Sequence, residues 1–155
     1  MANLGKSFEA NFKSNWKKCF PNGFIFRLQD LMSGYKDVSQ NPCDFICFEN
    51  GRLFLVECKE TAENTLNFSK IRQFKKLCDF IGIKDVYPGV LIWFSSHDKV
   101  IWVDASELVK MQNDGKKSVN IKMLEQKQYN ILDFHGELKR VFVECDYHLL
   151  TERKL

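Results

Sequence analysis

The spacing of apolar residues changes character along this chain, and each change predicts an element. Leu4, Phe8, Phe12, Trp16 and Cys19 recur every three or four positions with lysines between them, which predicts an amphipathic helix over residues 4–19. Pro21-Asn22-Gly23 predicts its end, and Phe24–Leu28 reads as a short strand. Residues 29–41 are polar, hold Gly34, Ser39 and Asn41, and read as a loop. Two apolar, β-branched runs near 43–48 and 52–58 then flank Asn50-Gly51, a strong signal for a two-residue hairpin turn. A polar connection over 60–67 leads into Phe68, Ile71, Phe74, Leu77, Cys78 and Ile81, a stripe that predicts a helix over 68–81 stopped by Gly82. Val90–Ser95 and Val100–Asp104 predict two more strands, joined across His97-Asp98-Lys99. A helix is expected from Ser106, ending at Asp114-Gly115. The rest of 106–155 is less legible: Val141–Cys145 reads as a strand and the terminal TERKL as a frayed tail. No repeat, low-complexity tract or linker divides the chain, so one α/β domain spanning 1–155, built on a central mixed sheet flanked by helices, is expected.

Alternation along the hairpin places Ile46, Phe48, Leu53 and Leu55 on one face and Phe45, Cys47, Phe54 and Val56 on the other. Both faces are apolar, which predicts a hairpin covered on both sides. With Asn50-Gly51 as the loop, Glu49 faces Arg52, and the same register carried outward sets Asp44 opposite Glu57. Opposed side chains lie on one face with Cβ atoms about 4.5–5.5 Å apart, and Lys59, two residues beyond Glu57, returns to that face. Two like charges held face to face repel. A shared divalent cation relieves that, and an oxygen-only pair favours a hard one such as Mg²⁺. The simpler alternative is a salt bridge from Lys59 to either carboxylate with no metal.

Composition adds limits. The 155 residues are 45% hydrophobic and 14% aromatic, enough for a folded core. A net charge of +3 says little, but its distribution says more. Lys6, Lys13, Lys17, Lys18 and Arg27 stand against Glu9 alone near the N-terminus, and Lys70, Arg72, Lys75 and Lys76 form a second cluster. These suit either a phosphate backbone or solvated helix faces. The six cysteines include no C-x-x-C pair, and most sit in apolar runs as small hydrophobes. No signal core and no membrane-length apolar run is present, so a reducing, cytoplasmic setting with no membrane is expected. His97, His135 and His148 are scattered without partners at ligand spacing, Trp93 and Trp102 are expected in the core, and Lys116-Lys117 reads as a solvated turn or a phosphate contact.

Asp44 followed by Glu57-Cys58-Lys59 has the form D-x12-E-x-K. With Gly5-Lys6-Ser7-Phe8-Glu9, Asn41-Pro42-Cys43-Asp44-Phe45, Val56-Glu57-Cys58-Lys59-Glu60-Thr61 and Ile71-Arg72-Gln73, the chain resembles the RecU-like Holliday junction resolvases, a branch of the PD-(D/E)XK nuclease superfamily. Pro42-x-Asp44 matches the family's P-x-D motif and Lys59-Glu60-Thr61 its K-E-T sequence, and the likeness covers roughly residues 4–105. It implies a restriction-endonuclease-like core and a metal-dependent endodeoxyribonuclease that resolves four-way junctions in recombination and repair, leaving a 5′-phosphate.

By the same likeness Asp44, Glu57 and the Cys58 backbone carbonyl would hold Mg²⁺, with Mn²⁺ able to substitute, and Lys59 would be the catalytic lysine. Glu9 would assist from the first helix, unless it only pairs with Lys13, and Gln73 would contact the scissile phosphate or a water, unless it is one more solvated polar residue. Lys6, Lys13, Tyr35, Lys36, Thr61, Lys70 and Arg72 are the expected DNA contacts, with Thr61 also suited to capping the connection after Lys59. A four-way junction is two-fold symmetric, so a homodimer is expected. Residues 28–41 are short where long bacterial members carry a stalk, which implies a compact, phage-type member acting in a bacterial cell or infected host, and a reduced stalk at most. Two rivals share the fold: an enzyme cutting ordinary duplex DNA, and a catalytically silent DNA-binding module.

Overall fold

Asn50 and Gly51 both take positive φ, 52° and 73°, the conformation a tight hairpin turn demands. Around them Glu49 pairs with Arg52, and the ladder runs back through Phe48–Leu53, Cys47–Phe54 and Ile46–Leu55 to Phe45–Val56, the register the turn predicts. This hairpin anchors the computed structural model, which describes residues 4–29, 41–134, 136–139 and 142–153.

In chain order the elements are α1 (Leu4–Cys19), β1 (Phe24–Arg27), β2 (Phe45–Glu49), β3 (Arg52–Thr61), β4 (Thr65–Asn67), α2 (Phe74–Cys78), β5 (Val86–Phe94), β6 (Lys99–Asp104), α3 (Ala105–Asn113), β7 (Ser118–Asn120), α4 (Met123–Gln126), β8 (Ile131–Asp133), β9 (Glu137–Lys139), β10 (Phe142–Glu144) and α5 (His148–Glu152). Six strands make the central sheet in the order β1-β2-β3-β5-β6-β8. The β3–β5 pair at its middle is parallel and the other pairs are antiparallel, so the sheet is mixed as expected. Two small ladders, β4–β7 and β9–β10, flank it.

Strand alternation splits the core into two layers. On one face Phe45, Cys47, Phe54, Val56 and Cys58 pack under Phe8, Phe12 and Trp16 of α1, together with Val143, Tyr147 and Leu150. Buried Asn15 donates its side-chain amide to the Val143 carbonyl at 2.7 Å, tying α1 to β10. On the other face Leu55, Val90, Ile92, Ile101 and Val103 pack under Leu77, Leu108 and Met111. Trp93 and Trp102 are core residues, as expected. Gly89 is required beneath Trp102, because a Cβ there would lie 2.4 Å from the indole. The sheet is thus sandwiched, except at one corner. Phe24, Phe26 and Phe48, which share a face with Ile46, are 52%, 51% and 46% exposed. The expectation that both hairpin faces are covered holds for β3 and fails for Phe48, because the helices of that layer cover the sheet centre and not its β1–β2 margin.

Other expectations are corrected. The stripe over 68–81 is not one helix: Phe68–Lys70 is a 3₁₀ turn, Ile71 leaves the helical path at ψ 83°, and α2 begins only at Phe74. The spacing Phe68, Ile71, Phe74, Leu77 repeats every three residues, a 3₁₀ period as much as an α-helical one. β5 starts at Val86, not Val90, and carries Pro88; the β6 ladder begins at Gly89, so the missing Pro88 amide has no β6 rung to fill. β3 continues to Thr61, and the supposed polar connection contains β4. The chain end is docked rather than frayed as far as Arg153. Its guanidinium meets both Asp104 carboxylate oxygens at 2.7 and 2.8 Å, and Arg52 donates to the Thr151 and Arg153 carbonyls.

Candidate active site

The β2–β3 ladder ends one residue before the position that the sequence assigns to a carboxylate pair. Asp44 lies just outside β2, and its amide donates to the Val56 carbonyl at 3.0 Å, which Phe45 already opposes. Two residues therefore face one, as in a bulge. The strict register that set Asp44 against Glu57 does not extend that far. The Asp44 side chain turns inward instead, and its Oδ2 accepts the Cys58 N–H at 2.9 Å. Glu57 to Thr61 run beyond the last rung with β2 and pair with β5 alone.

On one face of this stretch β3 presents Glu57 and, two residues on, Lys59. The Glu57 side chain is only 1% exposed; its Oε1 meets Lys59 Nζ at 3.1 Å, while its Oε2 is buried with no hydrogen-bond partner. Burial first, and then the Asp44 charge, raise the Glu57 pKa from 4.5 to about 7 against the lowering effect of Lys59. Asp44 is also pushed up, first by burial, with the Cys58 amide, Lys59 and Arg27 opposing and Glu9 adding to the rise. Glu9 reaches the cluster from α1 and pairs with Arg27 of β1 at 2.8 Å, not with Lys13. Arg27 is the member that sequence reading missed; it stood out only as part of the N-terminal basic cluster, with nothing local to aim it at Glu9.

The group therefore holds three carboxylates facing one lysine and one arginine, in a site too dry to solvate the excess charge. A buried carboxylate oxygen without a donor costs about 1–3 kcal/mol or more. A hard divalent cation relieves that cost, and the oxygen donors of Asp44 and Glu57 fit one. The salt-bridge alternative is present as well, in the Glu57–Lys59 contact, but it satisfies only one of the two Glu57 oxygens.

The remaining expected residues are spread around this group. Gln73 sits at the N-terminal boundary of α2, with its Oε1 buried and unpartnered. Thr61 is buried, and its hydroxyl accepts the Glu63 amide at 3.1 Å, which is the capping role. Lys70 and Arg72 are exposed, and Lys13 is half-buried on α1. The side chain of Lys6 and the whole of Tyr35, Lys36 and His135 lie outside the described residues, as does most of the 28–41 segment.

Comparison with curated proteins returns no match. Among solved structures, the chain is similar to Hjc of Archaeoglobus fulgidus, a Holliday junction resolvase from an archaeal hyperthermophile, at TM-score 0.50 and 17% identity over 66% of this chain and 78% of that one. At this identity the likeness shows the fold, a restriction-endonuclease-like one. Residues 30–142 match the RecU family, described as recombination protein U. That match extends past residue 105 and leaves α1, with Glu9, outside it. It spans well over half of the sequence, and the chain belongs to the RecU family of Holliday junction resolvases.

Proposed function

We propose that this RecU-family nuclease is a divalent-metal-dependent endodeoxyribonuclease that resolves four-way junctions by paired nicks, with Asp44, Glu57 and Lys59 at its centre. The observation that carries this reading is the buried, unpartnered Oε2 of Glu57 beside Asp44 and Lys59. Asp44 and Glu57 would hold the cation, Mg²⁺ or Mn²⁺. The Cys58 carbonyl would join them, since a strand turns the amide and carbonyl of one residue to the same edge and the Cys58 amide faces Asp44. When bound, the cation supplies positive charge against the charge that develops on the scissile phosphate.

The chain's own groups do the rest. Lys59, held on the Glu57 face and partly open to solvent, releases its ammonium from Glu57 to orient the attacking water and to steady the phosphate oxygens. The Glu9–Arg27 pair fixes the side of the site nearest α1 and keeps Glu9 aimed at the same water. Gln73 offers its amide to the phosphate or to a water. Lys13, Lys70 and Arg72 attract the backbone of branched DNA, in proportion to phosphate contacts and inversely to salt.

Paired nicks on a two-fold substrate call for a two-fold enzyme. Phe24 and Phe26, with rings 6.3 Å apart and nearly parallel, and Phe48 beside them form an apolar face at the sheet edge suited to a second copy. The test is a synthetic four-way junction incubated with Mg²⁺, with a linear duplex of the same sequence as control. Symmetric nicking of the junction, abolished by chelation and by Asp44→Asn, is expected. Equal cutting of the duplex would make the enzyme an ordinary duplex nuclease, and no metal-dependent cutting would reject the reading.

A further inference from the structure

Ten positions after Glu9, the end of α1 meets the start of α5. Cys19 closes α1, and Asp146 and His148 lie 127 and 129 positions later, yet their donor atoms come within 4.8 Å of one another. Cys19 Sγ is 3.7 Å from Asp146 Oδ1, and His148 Nδ1 is 2.5 Å from that same oxygen. Their surroundings orient all three. The Tyr147 amide donates to Cys19 Sγ at 3.4 Å, the His148 amide donates to Asp146 Oδ1 at 3.0 Å, and Phe20 packs edge-on against the imidazole at 4.9 Å.

We infer that Cys19, Asp146 and His148 form a second metal site, selective for a borderline-soft divalent ion of the zinc type and distinct from the nuclease centre. The donor chemistry decides the class. A thiolate and an imidazole favour Zn²⁺ or Co²⁺, while the all-oxygen set at Asp44 and Glu57 favours Mg²⁺ or Mn²⁺. Tetrahedral bonds of about 2.0–2.3 Å place donors roughly 3.3–3.8 Å apart, so the Cys19–Asp146 separation already fits. The Asp146–His148 contact must open by about 0.8 Å to reach that range, and both side chains are exposed, so each has solvent to move into. Binding releases the thiol proton and frees His148 Nδ1, whose proton leaves when the ring is charged and moves to Nε2 when it is neutral, and a water takes the fourth position. The Tyr147 and His148 amides, already donating to two of the ligands, are the outer partners such a site uses for orientation. The consequence is structural: a bound ion would clamp the last turn of the helix that carries Glu9 to the C-terminal segment.

Co²⁺ is the probe, because a cobalt–thiolate bond gives a near-ultraviolet charge-transfer band that oxygen ligation does not. Titration of the full chain should develop this band at one equivalent. Cys19→Ser should abolish it and His148→Ala should abolish or shift it, while Asp44→Asn should leave it unchanged. Zn²⁺ should raise the melting temperature of wild type and of Asp44→Asn by several degrees, but not that of Cys19→Ser or His148→Ala. His148 lies on the surface, so the second variant reports even where the first disturbs packing. No thiolate band in the wild type, or a band that survives Cys19→Ser, would overturn the inference, whatever the outcome of the nuclease assays.

Discussion

The Asp44 carboxylate accepts the Cys58 amide at 2.9 Å at the point where β2 stops pairing with β3. A side chain thus substitutes for a missing backbone partner, and the same carboxylate is one of two proposed to hold the metal. Asp44→Asn keeps an oxygen that can accept the amide while removing the charge. Folding should therefore be retained by circular dichroism, and junction nicking should fall by about 100-fold or more. Full activity in the folded variant would remove Asp44 from the chemistry.

Glu57 carries the sharpest pH signature. Its carboxyl is held up to about 7 in the fold against 4.5 otherwise, so the folded chain keeps a proton that the unfolded chain has released. The stability that this protonation contributes is fully present below pH 4.5 and is lost as pH rises through about 7, by up to ~3 kcal/mol, and Asp44 adds in the same direction. In chelator-treated buffer, urea unfolding should show the wild type losing stability from pH 5 to 8 while Glu57→Gln changes much less. The variant should equal or exceed the wild type at pH 8 without metal, and should gain nothing when Mg²⁺ is restored. Parallel pH curves for the two proteins would refute the buried-charge account.

The apolar corner predicts an assembly. Phe24→Asp or Phe26→Asp changes a half-exposed position, so monomer stability should move by no more than about 1 kcal/mol. The dimer proposed through this face should then be lost, leaving monomer by light scattering where the wild type is dimeric, and junction cutting should shift from paired to single nicks. A variant that remains dimeric would place the interface elsewhere.

At the other end, Arg153 joins Asp104 by two contacts, and Asp104 also accepts the Trp102 indole N–H at 2.9 Å. Arg153→Ala strands a largely buried carboxylate and should cost roughly 2–4 kcal/mol in urea unfolding. Because Asp104 shares the face of Trp102, in the layer under α1, while Glu57 points to the opposite face of the sheet, kcat on junctions should be unchanged at temperatures where the variant is folded.

What the sequence revealed, and what it hid, follows from the range of the interactions. Helix α1 has its expected bounds because Phe8, Phe12 and Trp16 keep a single period and Pro21 stops it. The hairpin register was legible because two residues at its tip impose it. The break at Ile71 was not, since a three-residue spacing satisfies two kinds of helix. Arg153 looked like part of a loose tail because its partner, Asp104, is 49 positions away. His148 looked solitary for the same reason, and no local pattern connects it to Cys19. At the candidate site, alternation put Glu57 and Lys59 on one face, but the hairpin register misplaced Asp44, which reaches the group through the bulge at Val56, and Arg27 needed the fold to bring β1 against α1.

Loop tips are ordinarily where a chain tolerates insertion and deletion best. The Asn50-Gly51 tip is an exception of an informative kind. Most substitutions there would only strain the turn, but adding or removing one residue would shift β3 by half a pleat and send Glu57 and Lys59 into the aromatic layer beneath α1, with Cys58 taking their place beside Asp44. Length at this tip is therefore more constrained than spelling, and directed evolution of the enzyme should find point changes there survivable and single-residue indels lethal to function.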